Sequence, residues 1–263
     1  MRATVEYDGA NYAGFQWQPA LPNVQGTLER AVEGATGCRT RVVGAGRTDR
    51  GAHAVGQVIA FDVDTRLDNS VLVRALNAHL PADIALTSLN TVAEDFHPRF
   101  DAAEREYHYL VLNRPARSPH WRGRAHHVPQ ALNLEAMRQA AASLVGRHDF
   151  SSFTSASADE AEGRNRSRTL RDIDIKQEGE IVRFRFIGDA FMRHMVRTIV
   201  GVLLQVGMGM MPVEQVRGIL EQRDRRLAGE GVPAWGLYLM RVSYPDEHEG
   251  IPGANPGFEN TTP

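Results

Sequence analysis

Residues 191–206 constrain the fold more than any other stretch. Met192, Met195, Val196, Ile199, Val200, Leu203 and Leu204 keep helical spacing and cover most of a helix's circumference. A helix that is apolar on nearly every side has to lie inside a core. It is shorter than the roughly 20 apolar residues a membrane span needs, and no other stretch comes closer, so no membrane contact is expected. One residue breaks the pattern. A guanidinium at Arg197 is costly in such surroundings unless it is paired, which predicts a carboxylate partner. Spacing alone leaves a structural Asp or Glu as open as a functional one, with Arg193 and His194 beside it.

Around this helix the chain reads as two similar runs. In the first, 3–7 alternates as a strand and ends at the turn signal Asp8-Gly9. An aromatic loop, Tyr12 to Trp17, leads to a helix at 24–37 with Gly37 as its stop. Strands follow at 41–45 and 55–63, then a helix capped by Asp68 or Asn69 and closed before Pro81, then a strand at 84–92. Phe96-His97-Pro98 cannot continue a helix and marks the crossing into the second run. There 104–113 alternates, with Tyr107, Tyr109 and Val111 on one side, and 134–145 is helical. Strands at 170–176 and 181–187 flank the hairpin signal Glu178-Gly179-Glu180, and a shorter helix at 212–221 and a strand at 236–244 complete the order. The expectation is an α+β protein of two structurally similar halves, 1–103 and 104–245, with mixed, mostly antiparallel sheets that join edge to edge and helices on one face. Residues 246–263, rich in Pro and Gly, read as a flexible tail.

Composition narrows the chemistry. Cys38 is the one cysteine in 263 residues, so no intrachain disulfide or cysteine zinc cage is available, and a cytoplasmic location is expected. The N-terminus, with Glu6 already charged, has no apolar run of signal-peptide length. A net charge of −2 argues against a polyanionic partner, but the four acids of the tail, Asp246, Glu247, Glu249 and Glu259, leave +2 on the remainder. Every basic residue except Lys176 is arginine, the side chain suited to bidentate phosphate contacts. Arg164, Arg166, Arg168 and Arg171 form a local cluster without intervening acid.

The stretch richest in candidate chemistry is Val43-Gly44-Ala45-Gly46-Arg47-Thr48-Asp49-Arg50-Gly51-Ala52-His53, a strand end running into a turn bracketed by glycines. It is no dinucleotide fingerprint, since the third glycine of that pattern would fall at Asp49. No phosphate loop with its lysine and no Gly-x-Ser-x-Gly elbow occurs, so no nucleotide cofactor is expected. His120, His126 and His127 lack a supporting carboxylate at metal-ligand spacing, and no metal is assigned. Arg47 and Asp49 in the turn, the Tyr107/Tyr109 strand and Arg197 remain as functional candidates.

Together these pieces resemble the tRNA pseudouridine synthase A (TruA) family. Gly46-Arg47-Thr48-Asp49-Arg50-Gly51-Ala52-His53-Ala54 is similar to its Gly-Arg-Thr-Asp-x-Gly-Val-His-Ala signature, with Ala52 in place of the common Val. Glu6-Tyr7-Asp8-Gly9, Asn77-Ala78-His79-Leu80-Pro81, Phe96-His97-Pro98-Arg99-Phe100, Tyr107-His108-Tyr109, Phe191-Met192-Arg193-His194-Met195-Val196-Arg197 and Gly236-Leu237-Tyr238-Leu239 match in order. Glu106 before Tyr107, Thr169-Leu170-Arg171 and a longer 156–165 stretch depart from the family pattern.

The resemblance implies the pseudouridine synthase fold with a central RNA-binding cleft, a homodimer, and isomerisation of uridine at positions 38, 39 and 40 of the tRNA anticodon stem-loop, without cofactor or metal. It implies Asp49 as the catalytic carboxylate, Arg197 as its counter-ion, and Tyr107 as the ring that stacks on the uracil and serves proton transfer. Arg47 would enter the space left by the flipped nucleotide, Arg164, Arg166 and Arg168 would contact phosphates, and the glycines would clear room for the RNA strand. Two other classes remain open: a noncatalytic RNA-binding protein, and a small-molecule hydrolase using Asp49.

Overall fold

The computed structural model describes residues 1–155 and 165–245; Arg164 and the tail at 246–263 lie outside the described residues. The first run gives β1 (Arg2–Tyr7), α1 (Val24–Thr36), β2 (Val43–Gly44), β3 (His53–Ala60), α2 (Asn69–His79) and β4 (Ile84–Asn90). The second gives β5 (Glu104–Asn113), β6 (His126–Val128), α3 (Leu134–Ala142), β7 (Gly146–Asp149), β8 (Ser167–Glu178), β9 (Ile181–Gly188), α4 (Met195–Gly207), α5 (Val213–Gln222) and β10 (Leu237–Ser243).

Among the described residues all strands belong to one sheet in the order β4-β1-β3-β10-β5-β9-β8-β7, with β2 added beside β3 and β6 beside β5. Pairing is antiparallel except between β3 and β10 and between β5 and β6. The β3–β10 contact joins the two sets of strands, and it is short: Tyr238 faces His53 and Leu239 faces Ala54. Gly56 allows the close approach that follows, since a Cβ there would lie 2.3 Å from the Met240 carbonyl oxygen. Side chains from one face of the sheet and from the five helices form a common apolar core. On β5, Tyr109 and Val111 point into it, whereas Leu110 and Leu112 point the other way and pack with Ala125 and Tyr238 in a small second cluster.

Helix ends follow the local chemistry. Asn23 caps α1 by accepting from the Gly26 amide, and Gly37 closes it in the left-handed region at φ 74°. The hairpin between β8 and β9 turns on Gly179, also at positive φ. At α2 the cap residue is Asp68, but its side chain makes no capping bond.

Several expected boundaries move. The apolar helix begins at Met195, not at residue 191, because His194 is left-handed (φ 62°, ψ 0°) and Met192 to Met195 forms a turn. Arg197 is therefore in the first turn of α4, where its side chain can leave the core, and not in the helix interior. Strand β2 is two residues long, β3 occupies 53–60 instead of 55–63, and β8 extends to twelve residues. Helix α3 ends early, as the chain tightens through Ser143 and Leu144 and turns at Gly146 into β7. Strands β6 and β7 are short and polar, and their pattern did not distinguish them from loop. Among the described residues, no helix is long and apolar enough to cross a membrane.

Candidate active site

The turn between β2 and β3 is held from below by a buried amide. Gln57 on β3 is fully buried, accepts from the Gly46 amide at 3.3 Å and donates to the Gly46 carbonyl at 2.8 Å. Thr48 is fixed by the Tyr7 hydroxyl at 2.8 Å. The aromatic loop braces the outer side: the Phe15 amide donates to the Thr48 carbonyl, and the Gly51 amide to that of Tyr12. The Ala52 amide closes the turn on the Asp49 carbonyl at 3.1 Å. Asp49 thus projects from a backbone with little freedom left, as a reactive group requires.

Across from it stands the N-terminal end of α4. Arg197 Nη1 donates to Asp49 Oδ2 at 2.8 Å, and Arg197 Nε to the Val232 carbonyl at 2.7 Å. The guanidinium is thereby fixed at two points, and the carboxylate predicted for it is Asp49. His194 Nε2 lies 3.6 Å from the same oxygen. Oδ1 of Asp49 has no partner among the described residues. The pair is partly covered, with side-chain exposures of 23% for Asp49 and 19% for Arg197, so water screens it only in part. Burial pushes the His194 imidazole below its usual value, helped by Arg197, Arg193 and Arg225 and opposed by Asp49, which keeps it neutral near pH 7.

Tyr107 completes the floor. Its ring meets Phe191 edge-on, with centroids 5.0 Å apart, and its hydroxyl lies 3.4 Å from where a Cβ at Gly46 would be. Burial raises its phenol pKa well above the ordinary value, with Tyr7 and the Asp49 charge adding and Arg105 opposing. Tyr107 is consequently a poor base and a competent neutral hydrogen-bond donor. Burial likewise pushes Tyr7 up to about 12.

Asp49, Arg197 and Tyr107 thus come together from a turn, a helix end and a strand far apart in sequence. Arg47 is exposed and makes no hydrogen bond or ion pair with another described residue. Arg171 is paired with Glu104 at 2.8 Å, and Arg168 turns back on the carbonyls of Asn165 and Ser167. Arg166 is half-buried. Gly44 makes room for the protein's own Phe15 ring, which a Cβ would meet at 2.5 Å, and not for an RNA strand. Sequence reasoning missed Gln57 and Val232. Gln57 had a signal, a polar residue in the otherwise apolar run from Val55 to Phe61; a carbonyl such as that of Val232 has none.

The family model of tRNA pseudouridine synthases matches residues 3–101 and 140–245, which include Asp49 and Arg197. The chain belongs to the tRNA pseudouridine synthase A family. A tRNA pseudouridine synthase A from Acetivibrio thermocellus is 40% identical over 93% of this chain and 99% of its own length. Relatives of the same name from Nitrosomonas europaea and Myxococcus xanthus are 43% and 42% identical, covering 91% and 98% of this chain and 87% and 95% of theirs. A solved structure described as "Crystal Structure of a Cbf5-Nop10-Gar1 Complex" aligns with 79% of this chain and 55% of that one at 14% identity and a TM-score of 0.33, too distant to add to the family assignment. As a member of this pseudouridine synthase family the chain is an isomerase.

Proposed function

We propose that this chain converts uridine to pseudouridine at positions 38, 39 and 40 of the tRNA anticodon stem-loop, with Asp49 as the catalytic residue. The observation that carries the reading is the bond from Arg197 Nη1 to Asp49 Oδ2 in a chain of this family. The guanidinium holds Oδ2 in place and leaves Oδ1 of Asp49 free to meet the ribose or the base.

The reaction breaks the N1–C1′ bond, turns the uracil and joins C5 to C1′; the C5 proton then leaves and N1 gains one. Tyr107 offers a ring face to the uracil and a neutral hydroxyl to its carbonyl edge. A uridine inside a helix must first leave it, at a cost of a few kcal/mol. Arg47, exposed two residues from Asp49, is placed to fill the vacated space. Arg164, Arg166 and Arg168 are kept as phosphate contacts along the cleft, Arg168 on condition that it releases its two carbonyl bonds. A homodimer would spread the tRNA over two chains of modest charge, and action on tRNA puts the protein in the cytoplasm. The division at 103/104 then separates a half carrying Asp49 from a half carrying Tyr107 and Arg197.

Tritium release from 5-tritiated uridine in a stem-loop transcript tests the reading. The wild-type protein is expected to release one tritium per modified site, and Asp49→Asn to be slower by at least about a thousandfold. Wild-type protein that releases none would falsify the assignment. Normal biological activity of Asp49→Asn would point to a noncatalytic RNA-binding protein instead.

A further inference from the structure

His53, the first residue of β3 after that turn, takes no part in the chemistry above, yet it is 3% exposed and bonded at both ring nitrogens. At Nδ1 the Gly9 amide and the Asp8 Oδ1 both approach to 3.1 Å, and Nε2, which faces two carbonyl oxygens, carries a proton. Nε2 then donates to two carbonyls at once, Gly123 at 3.0 Å and Trp235 at 3.1 Å. The ring stacks on Tyr238 at 4.6 Å, and the Tyr238 hydroxyl donates to the Arg124 carbonyl at 2.9 Å. Two remote backbone segments, 123–124 and 235, are therefore fixed to the end of the turn that carries Asp49. Segment 235 also follows directly on Val232 and Pro233, whose carbonyls hold Arg197 and Tyr109.

What this rigid corner presents outward is not structural. Trp235 is 44% exposed between two buried neighbours, Ala234 and Gly236. Arg122 is exposed, and its guanidinium has no partner among the described residues. Arg124, 61% exposed, makes only a long ion pair with the half-exposed Asp8 at 4.0 Å. From Tyr107 to Leu134 there is no Asp or Glu, while Arg114, Arg117, Arg122 and Arg124 all fall within that stretch. Much of it lies between the two segments matched by the family model.

We propose that Trp235, Arg122 and Arg124 form a contact site for substrate RNA outside the catalytic pocket, with the indole stacking on an unpaired base near the flipped uridine and the two guanidiniums on flanking phosphates. Loop bases are recognised by stacking on aromatic faces and by arginine on the backbone, and a fixed backbone lowers the ordering cost of both. A tryptophan beside arginines also suits protein interfaces, but two cations in an acid-free stretch favour a polyanion. The proposal rests on the pseudouridine synthase reading.

Binding of a fluorescent anticodon stem-loop RNA, measured at several salt concentrations on the full chain, tests it. Trp235→Ala should raise Kd by about tenfold, in keeping with one lost base stack, and Trp235→Phe should recover most of that. The Arg122→Ala, Arg124→Ala double variant should flatten the slope of log K against log salt by roughly 1.4 to 1.8 if both phosphates are lost. Thermal midpoints should match wild type, since all three side chains are substantially exposed. RNA binding and salt slopes equal to wild type in these variants overturn the proposal, whether or not a protein partner is then found to use the patch. Tritium release by wild-type protein in the same preparations separates the two readings: its absence sinks the function, whereas its presence with unaltered variants sinks only the corner site.

Discussion

Tyr107 and Tyr109 stand two residues apart on β5, on the same face of the sheet, and burial raises the phenol pKa of both. Their hydroxyls have opposite fates. That of Tyr109 donates to the Pro233 carbonyl at 2.8 Å, and the residue is 0% exposed. That of Tyr107 has no hydrogen-bond partner among the described residues. The difference lies in what stands opposite each ring. Backbone closes directly over Tyr109, so tightly that a Cβ at Gly236 would lie 2.8 Å from its Cζ. Over Tyr107 stands Gly46, whose missing side chain leaves space and not contact. One tyrosine is spent on holding the loop that supports Arg197, and the other is left open toward Asp49.

Arg197 touches both regions, so its removal is expected to have the largest effect on the contrast. Arg197→Met strips Asp49 of its counter-ion and frees the Val232 carbonyl in one step. Turnover in the tritium assay should fall by about a hundredfold or more, the loss typical of a removed electrostatic partner in a reaction site. The thermal midpoint should fall as well. Arg197→Lys can reach Asp49 but cannot make both bonds, because an ammonium is a point donor and not a planar fork. It should recover part of the turnover and little of the stability. Wild-type rates in Arg197→Met would mean that Asp49 needs no partner.

The tyrosine pair itself gives the next effect, smaller and opposite in kind at its two positions. Tyr107→Phe keeps the ring and removes only a hydroxyl that has no hydrogen-bond partner among the described residues. Stability should change by less than about 0.5 kcal/mol, while turnover drops roughly ten- to a hundredfold through the lost hydrogen bond to the base. Tyr109→Phe should leave turnover within a fewfold of wild type. Denaturant melts should show it about 1–2 kcal/mol less stable, because the Pro233 carbonyl is left unpaired. Two variants with the same profile would erase the distinction between an open and a committed hydroxyl.

The sequence made some of this contrast legible and hid the rest for identifiable reasons. Alternation along 104–113 put both rings on one face, and an arginine at an apolar helix demanded a carboxylate, found at Asp49. Period and burial say nothing about which carbonyl lies across from which hydroxyl, so only the family resemblance singled out Tyr107 over Tyr109. The start of α4 was misplaced for a similar reason: Phe191 and Met192 continue the apolar pattern, but the pattern does not register a left-handed backbone at His194. The arginines at 168 and 171 looked alike and free in the sequence, yet one folds onto carbonyls of its own strand end and the other pairs with Glu104. Gly44 and Gly46 read as equivalent and face, respectively, the Phe15 ring and the Tyr107 hydroxyl.

His194 offers the finest test of how the open side of the site is built, and the smallest effect. Its left-handed backbone is one that Asn, like His, adopts more readily than most side chains, so His194→Asn should fold without strain. In the wild type, burial beside Arg197, Arg193 and Arg225 lowers its pKa more than Asp49 raises it. The unfolded chain therefore takes up this proton at a higher pH than the folded one. Stability is fully present above the unfolded value of about 6.5 and is lost as pH falls toward the lower folded value. His126, lowered by burial and by His127, contributes with the same sign. Thermal melts between about pH 7.5 and 5 should show a decline in wild type that is shallower, but not abolished, in His194→Asn. An equal or steeper decline in the variant would mean that the imidazole is already charged at neutral pH and acts as a second counter-ion of Asp49.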